Sequence, residues 1–254
     1  MKKGIFTYRN DITLEEQYQL IKQAGFNSVM IWWGEQKDDY ISLSNKYNLE
    51  ICNAHLPFED IRKLWIPDNY GDDYALWLCK QIESLGNSGI NTAVLHVSRG
   101  TDTYPCNEKG LGRIKRIVET AEKSKVKIAF ENLRIIGYLD YIFKNIQSDN
   151  IGFCYDSGHH NYMSPERDLL TDFGDKLIAL HLNDNMGDSD IHMLPYDGTT
   201  NWQEVTNKLI SLRYDGVISL EVQQDRHIMY SNMEPSEFFR TAFERALEIE
   251  KTLL

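Results

Sequence analysis

The sequence is poor in the features that mark secreted, membrane-spanning and nucleic-acid-binding proteins. It has only four cysteines, Cys52, Cys79, Cys106 and Cys154, which lie far apart and form no C-x-x-C pair. This spacing is typical of reduced thiols rather than of a disulfide framework. The N-terminal segment reaches charged residues within a few positions, so we expect neither a signal peptide nor a membrane span. We therefore expect a cytoplasmic protein.

Positive charge is also scarce. The 254 residues include 27 Lys and Arg against 38 Asp and Glu, which gives a formal net charge of -11. Such a field repels phosphate polyanions, so we do not expect nucleic acid as a partner. No linker or low-complexity segment divides the chain, and its length fits one large domain over residues 1–254.

Short apolar runs alternate with helical patterns along the whole chain. Thr13 and Glu16 form a capping-box signature at the start of the first predicted helix, and Gly25 ends that helix. Further helices are predicted up to about residue 47 and at about residues 72–85, 108–124 and 235–254. The eight predicted strands are nearly continuously apolar, as expected for strands buried on both faces: residues 4–8, 28–33, 49–55, 92–98, 127–132, 151–156, 177–182 and 217–222.

Eight βα units in a chain of this length predict an α/β fold of the (β/α)8 TIM-barrel type. An open doubly wound sheet is the alternative. That fold would place a glycine-rich fingerprint after the first strand, and the sequence has none there.

Polar residues recur at the ends of the later strands. They are His55, His96, Glu131, Asp156, His181 and Glu221 on the third to eighth predicted strands. In a barrel these ends meet at one rim, where catalytic residues lie. A structural hydrogen bond or solvation explains one such residue, but burying several together is costly unless they are paired or coordinated. Carboxylates and imidazoles without a thiolate suit a Zn, Mn, Co or Mg ion.

Four of these residues form the strongest candidate metal site, with room left for substrate: Glu131, Asp156, His181 and Glu221. His159 lies one helical turn after Asp156, so we expect it to face the same cavity, as a substrate contact or as a ligand of a neighbouring ion. We expect His160 to point elsewhere.

The loop after the seventh strand adds Asp190 and His192. Being two positions apart, they would project to the same side of an extended segment. A solvent-exposed loop is the alternative, but beside six convergent residues the pair favours metal or phosphate binding. Arg99, or else Lys109 or Arg134, is a candidate contact for a substrate phosphate, with simple surface exposure as the alternative.

The second half of the chain resembles the xylose-isomerase-like superfamily of TIM barrels. This superfamily contains sugar isomerases, sugar and sugar-phosphate epimerases and the endonuclease IV group. The resemblance is carried by FENL (130–133), YDSGHH (155–160), HLND (181–184), the D-x-H of Asp190 and His192, and YDGVISLEV (214–222). The epimerases are the most similar group, and they imply one divalent ion on Glu131, Asp156, His181 and Glu221.

The resemblance to the epimerases also implies an activity. A sugar or sugar phosphate would be isomerised or epimerised through an enediolate, with Glu131 and Glu221 as the acid/base pair and His159 orienting a substrate hydroxyl. Trp32, Trp33 and Trp65 are candidates for stacking on the sugar, with burial in the core as the alternative. A dehydratase or lyase begins with the same proton abstraction.

The resemblance to endonuclease IV implies a phosphoesterase with three zinc ions on nine ligands. All nine match in type and order: His55, His96, Glu131, Asp156, His159, His181, Asp190, His192 and Glu221. The acidic net charge and the lack of basic stretches favour the epimerase reading, and thus one ion rather than three. A metal-stabilised barrel that only binds a ligand is a third hypothesis.

One departure bears on specificity. Ketohexose 3-epimerases place an arginine six residues after the position of His181, and here that residue is Gly187. The sequence leaves open the substrate, the identity of the metal and the oligomeric state, a homo-oligomer included.

Overall fold

The first helix begins as its capping box predicts. In the computed structural model, which describes residues 1–6 and 11–253, the Glu16 N–H donates to Thr13 Oγ1 at 3.2 Å. The Glu16 carboxylate accepts from the Thr13 N–H at 2.8 Å. Helix α1 (Leu14–Ala24) ends at Gly25, whose φ of 112° is left-handed and whose N–H bonds to Ile21 O and Lys22 O. Only glycine adopts this backbone without strain.

Eight parallel strands in the described residues form the barrel wall. They are β1 (Lys3–Phe6), β2 (Ser28–Trp32), β3 (Glu50–His55), β4 (Thr92–Leu95), β5 (Lys127–Glu131), β6 (Ile151–Asp156), β7 (Leu177–His181) and β8 (Ile218–Leu220). Consecutive strands pair from β1 to β7, and β8 pairs with β1. The ring closes between β7 and β8, where the Leu182 N–H donates to Ser219 O at 2.9 Å and the Glu221 N–H donates to Leu182 O at 3.0 Å. The predicted (β/α)8 barrel is confirmed.

Helices connect the strands on the outside. The remaining α-helices are α2 (Lys37–Tyr47), α3 (Asp72–Asn87), α4 (Glu108–Ser124), α5 (Gly137–Asn145), α6 (Ser157–Met163), α7 (Leu169–Phe173), α8 (Trp202–Ser211) and α9 (Pro235–Leu253). Short 3-10 helices span Ile61–Trp65, Asn69–Gly71, Gly174–Lys176, Gln224–Arg226 and Ile228–Tyr230. Over the described part of the chain, no helix is both long enough and apolar enough to cross a membrane.

The apolar core has two parts. The larger part lies between the strands and the helices, where side chains such as Leu95, Ile117 and Phe130 are fully buried. The smaller part fills the barrel interior below the rim, with Val94, Ala129, Cys154 and Ala179 contributed by four consecutive strands. The polar strand ends lie one layer above this second part, since side chains two positions apart on a strand share a face.

Some predicted boundaries differ from the structure. Strands β4 and β8 end at Leu95 and Leu220, so His96 and Glu221 begin the following loops. Helix α3 ends at Asn87, two residues beyond the end predicted at about residue 85, and so includes Gly86. A Cβ at Gly86 would lie 2.6 Å from Ser124 O, so glycine permits close packing against the end of α4. Residues 7 and 8 of the predicted first strand, and residue 254 of the last predicted helix, lie outside the described residues.

Candidate metal centre

Four predicted ligands meet at the carboxyl-terminal rim of the barrel. Glu131, Asp156 and His181 are the last residues of β5, β6 and β7, and Glu221 follows β8. One ligand atom of each lies within 4.8 Å of those of the other three. All four side chains are buried, with Asp156 and His181 fully so. The pleat of consecutive parallel strands turns these side chains toward one point, as the strand-end pattern predicts.

The group contains polar atoms that lack hydrogen bonds. His181 Nδ1 lies 3.4 Å from Glu131 Oε1 and 3.0 Å from Glu221 Oε2. Neither ring nitrogen of His181, nor Glu221 Oε2, has a hydrogen-bond partner among the described residues. Leaving buried polar atoms unpaired is costly. Their donor chemistry and crowding fit a divalent cation, which would satisfy them together.

The pKa values of the three carboxylates also favour a cation at this position. Burial alone would raise the pKa of Glu131, but the surrounding imidazoles, chiefly His181, hold its pKa well below the usual range. For Glu221 the same ring outweighs burial and lowers the pKa to about 2. Burial raises the pKa of Asp156 to about 7, and the neighbouring carboxylates act in the same direction. The charged forms of these three crowded carboxylates therefore depend on positive charge close by for their stability.

Two asparagines that were not among the predicted site residues hold Asp156 in place. The Asp156 N–H donates to Asn132 Oδ1 at 2.8 Å, and Asn132 Nδ2 donates to Asp156 O at 2.8 Å. Asn183 Nδ2 donates to both carboxylate oxygens of Asp156. Each asparagine follows a ligand strand closely, in the motifs FENL and HLND. A polar residue one or two positions after a strand-end ligand was the signal that could have revealed them.

A second group of predicted residues also shares Glu131. His96 Nε2 and His55 Nε2 lie 3.0 Å and 3.3 Å from Glu131 Oε2. One ligand atom of each of the three residues lies within 4.8 Å of the other two. His55 Nδ1 donates to Leu56 O at 2.8 Å, which leaves Nε2 facing the carboxylate. Burial lowers the pKa of His96 to about 4, so this imidazole is neutral and able to bind a cation.

His159, Asp190 and His192 form a third group. Asp190 lies between the two rings, 3.5 Å from His159 Nε2 and 3.3 Å from His192 Nε2. Each histidine donates its Nδ1–H to a backbone carbonyl, that of Asn132 for His159 and that of Glu221 for His192, so each Nε2 faces Asp190. The predicted pairing is present but its predicted cause is wrong, because His192 has a φ of 48° and the segment is not extended there.

A cavity of about 440 Å³ opens above these groups. Of the predicted tryptophans, Trp32 lines it, stacked on His55 with ring centroids 4.8 Å apart and 13° between the planes. Phe58 lines it too and stacks on His96 at 4.1 Å. Trp33 and Trp65 are fully buried in the core instead, so stacking on substrate is excluded for them.

Charged residues at the cavity differ from those predicted. Arg226, in the loop after β8, lines the cavity and donates to Asp190 O at 3.2 Å. Arg99 lies outside the lining, with its guanidinium 5.7 Å from the Phe58 ring and bonded to Glu59 O. Lys109 and Arg134 are turned toward other partners, Asp72 and the ring of Tyr162 respectively.

His160 points away from the rim, as predicted. Its Nδ1 accepts from the Tyr155 hydroxyl at 2.8 Å and its Nε2 donates to Arg167 O at 2.7 Å. It lines a separate cavity of about 330 Å³ near α6, α7 and α8. The cations of that cavity, Arg167 and Lys208, are already paired with acidic side chains.

Comparison with known proteins identifies the family. A model of the family described as xylose isomerase-like TIM barrel matches residues 18–247. The uncharacterized protein y4fM of Sinorhizobium fredii is 34% identical over 191 residues, which are 68% of this chain. The match covers 59% of that relative, so this chain spans less than two thirds of its length.

Solved structures share the fold. A D-tagatose 3-epimerase-like protein has a TM-score of 0.76 at 24% identity, covering 99% of this chain and 98% of the other. The IOLI protein with a bound zinc atom has a TM-score of 0.81 at 16% identity, covering 100% and 99%. The resemblance drawn from the sequence motifs is therefore confirmed, and the chain belongs to the xylose isomerase-like TIM barrel family.

Proposed function

We propose that this chain is a divalent-metal-dependent isomerase or epimerase acting on a sugar or a sugar phosphate. One observation carries the proposal: the ligand atoms of Glu131, Asp156, His181 and Glu221 lie within 4.8 Å of one another at the base of an open cavity. The shared fold of the D-tagatose 3-epimerase-like protein supports carbohydrate chemistry. Family membership supports an enzyme acting on a small sugar.

The four residues of this group would hold one Mn, Zn, Co or Mg ion. The likeness to the IOLI protein, whose structure contains a zinc atom, supports metal binding by a barrel of this fold. When bound, such an ion supplies Lewis-acid stabilisation of the negative charge that develops on substrate oxygens during proton transfer. Asn183 and Asn132 keep Asp156 oriented for this role.

Glu131 and Glu221 would move the proton. Both line the cavity and lie on either side of His181 Nδ1. Because both pKa values are held low, both carboxylates are in the base form at neutral pH. One removes a proton from a substrate carbon to give an enediolate. Return of that proton to the neighbouring carbon completes isomerisation, whereas epimerisation requires the other carboxylate to take a proton from solvent and deliver it to the opposite face.

Other cavity residues would orient the substrate. His159 lines the cavity with Nδ1 bonded to Asn132 O and Nε2 3.5 Å from Asp190 Oδ2, so Nε2 is the atom suited to contact a substrate hydroxyl. The Trp32 ring offers an apolar surface for one face of a sugar. Arg226 at the cavity edge, with Arg99 beside Phe58, supplies positive charge for a substrate phosphate.

Deuterium exchange tests the proposal directly. Aldoses, ketoses and their phosphates are incubated with the Mn-loaded protein in deuterated water, and NMR follows incorporation at carbon. We expect exchange with the wild type and none with Glu221→Gln or Glu131→Gln. Glu119→Gln, an exposed change on α4, serves as the matched control and retains exchange. Exchange that persists in Glu221→Gln contradicts the assignment.

A zinc-dependent phosphoesterase of the endonuclease IV type is the second candidate. The observation that favours it is the presence of the two further groups, His55 with His96 and His159 with Asp190 and His192, around the same cavity. Elemental analysis separates the candidates: one ion per chain favours the isomerase and three favour the hydrolase. Cleavage of an abasic-site duplex would establish the hydrolase. A dehydratase or lyase on the same centre would instead release water or split the substrate in the NMR assay.

A further inference from the structure

A free thiol lies directly below the candidate metal centre. Cys154 is two residues before Asp156 on β6, so its side chain points into the barrel one layer deeper. It is fully buried and forms no disulfide. Its neighbours in this layer include Ala129 and Ala179, which are small. The ligand set predicted from the sequence contained no thiolate and so did not include Cys154.

The thiol forms a ligand group with two residues of the rim. One ligand atom of Glu131, one of His181 and the Cys154 sulfur lie within 4.8 Å of one another. Because metal–ligand bonds to oxygen, nitrogen and sulfur are about 2.0–2.3 Å long, the ligands of one ion lie about 3–4.5 Å apart. Nδ1 of the fully buried His181 faces Glu131 and Glu221, whereas its Nε2 has no hydrogen-bond partner among the described residues. This buried, unpartnered Nε2 is the second observation that points to a ligand here.

We propose that the metal centre has a second, deeper position for a thiophilic ion, formed by Cys154, Glu131 and His181. This inference rests on the proposed function, since the deeper position shares two residues with the upper one. Hard ions such as Mg²⁺ and Mn²⁺ select the upper, oxygen-rich position. Softer ions such as Cd²⁺ select the deeper position, where the thiol gives up its proton to solvent as the sulfur–metal bond forms.

The deeper position has a consequence for selectivity. An ion there is farther from Asp156, Glu221 and the cavity, because Cys154 lies one layer below them. Because the two positions share Glu131 and His181, ions in both would lie close together, and their mutual repulsion makes the positions alternatives for one ion. Thiophilic ions therefore displace the upper ion and act as inhibitors of the proposed reaction.

Ultraviolet absorption tests the deeper position without an activity assay. The probe is Cd²⁺ added to the metal-free chain. We expect a sulfur-to-cadmium charge-transfer band that saturates at one ion per chain. Cys154→Ser should lose the band, and its Kd for Cd²⁺ should rise about tenfold or more, since loss of even a supporting residue has an effect of this size. Its Kd for Mn²⁺ should change little. A variant with serine at Cys52, Cys79 and Cys106 keeps the band.

The outcomes are distinct. Stoichiometric Cd²⁺ binding without the band, or a band that survives in Cys154→Ser, overturns the deeper position while leaving the upper centre intact. Mn²⁺ binding that is absent from the wild type counts against the proposed function. A band in the triple serine variant supports the deeper position even if Cys154→Ser does not fold.

Discussion

The side-chain amide of Asn183 donates to both carboxylate oxygens of Asp156, at 3.2 Å to Oδ1 and 3.0 Å to Oδ2. Asp156 Oδ1 also accepts from the His159 N–H at 2.7 Å, as the N-cap of α6. These hydrogen bonds fix the rotamer of the Asp156 carboxylate and hold it next to Glu131 and Glu221. Donors of this kind keep a buried ligand oriented and favour its charged form.

Asn183→Ala should weaken metal binding. Without the amide, Asp156 loses two donors and its raised pKa rises further, so a proton competes better with a cation. We expect the Kd for Mn²⁺ to rise about 10- to 100-fold, the usual effect of removing a supporting hydrogen bond. Isothermal titration calorimetry measures it, with the exposed Asn207→Ala on α8 as control. An unchanged Kd would show that Asn183 does not position the ligand.

The position of Asn183 leaves no room for a side chain at residue 158, which is glycine. A Cβ at Gly158 would lie 1.8 Å from Asn183 Oδ1. We therefore expect Gly158→Ala to lower the free energy of unfolding by about 1–3 kcal/mol and to weaken metal binding, because the clash displaces Asn183.

Gly112→Ala is the matched control for this change. Gly112 is an exposed helical glycine on α4 with nothing within 4 Å of the added Cβ. This substitution should raise the free energy of unfolding by about 0.5–1 kcal/mol. Urea unfolding measures the free energy of unfolding of both variants. Equal changes in this free energy at the two glycines would refute the clash with Asn183.

The rim was predictable from the sequence because it depends on local pattern. Continuous apolar strands mark a parallel barrel, and its strand ends must meet at one face, so Glu131, Asp156 and His181 could be brought together without coordinates. The capping box at Thr13 was predictable for the same reason, since it involves only neighbours in sequence.

Features that depend on distant packing were not predictable. Gly86 is a helix-stop signal locally, but in the structure it lies inside the last turn of α3, where it permits the close approach of Ser124 O. Cys154 was predicted only as a reduced thiol, because its place under the rim depends on strand register across β5, β6 and β7. The positive φ of His192 depends on how its loop folds back on the barrel.

Asp184 anchors that loop. Its Oδ1 accepts from the N–H groups of Asn185 and Thr200, and its Oδ2 accepts from the Tyr196 N–H and from Trp202 Nε1. The loop between these partners carries Asp190 and His192, so the fully buried Asp184 positions them without facing the cavity.

Asp184→Ala should therefore loosen the loop. Leaving buried donors unsatisfied costs about 1–3 kcal/mol each, so we expect a loss of at least about 3 kcal/mol in the free energy of unfolding. Hydrogen exchange in residues 185–201 should accelerate more than in α4. Trp202→Phe removes one donor and should show a smaller effect of the same kind. Uniform acceleration across the chain would indicate global destabilisation instead of a loop anchor.

The metal-free protein should lose stability as the pH rises from about 6.5 to about 9. Although burial opposes it, Asp190 and Glu221 raise the pKa of His192 to about 9. The folded state therefore holds a proton that the unfolded chain releases near pH 6.5, and the stability that this proton confers disappears as the pH passes through 9. The full effect of His192 is about 3 kcal/mol. His159 and His181, whose pKa values are also raised, act in the same direction.

Urea unfolding in EDTA across this pH range measures the loss. His192→Asn should flatten the slope, whereas His227→Asn, in the loop after β8, should leave it unchanged. Saturating Mn²⁺ should also flatten or reverse the slope, because the cation replaces the protons as the positive charge among Glu131, Asp156 and Glu221. A slope that is the same in the wild type, in His192→Asn and with Mn²⁺ would mean that the rim histidines do not carry those protons.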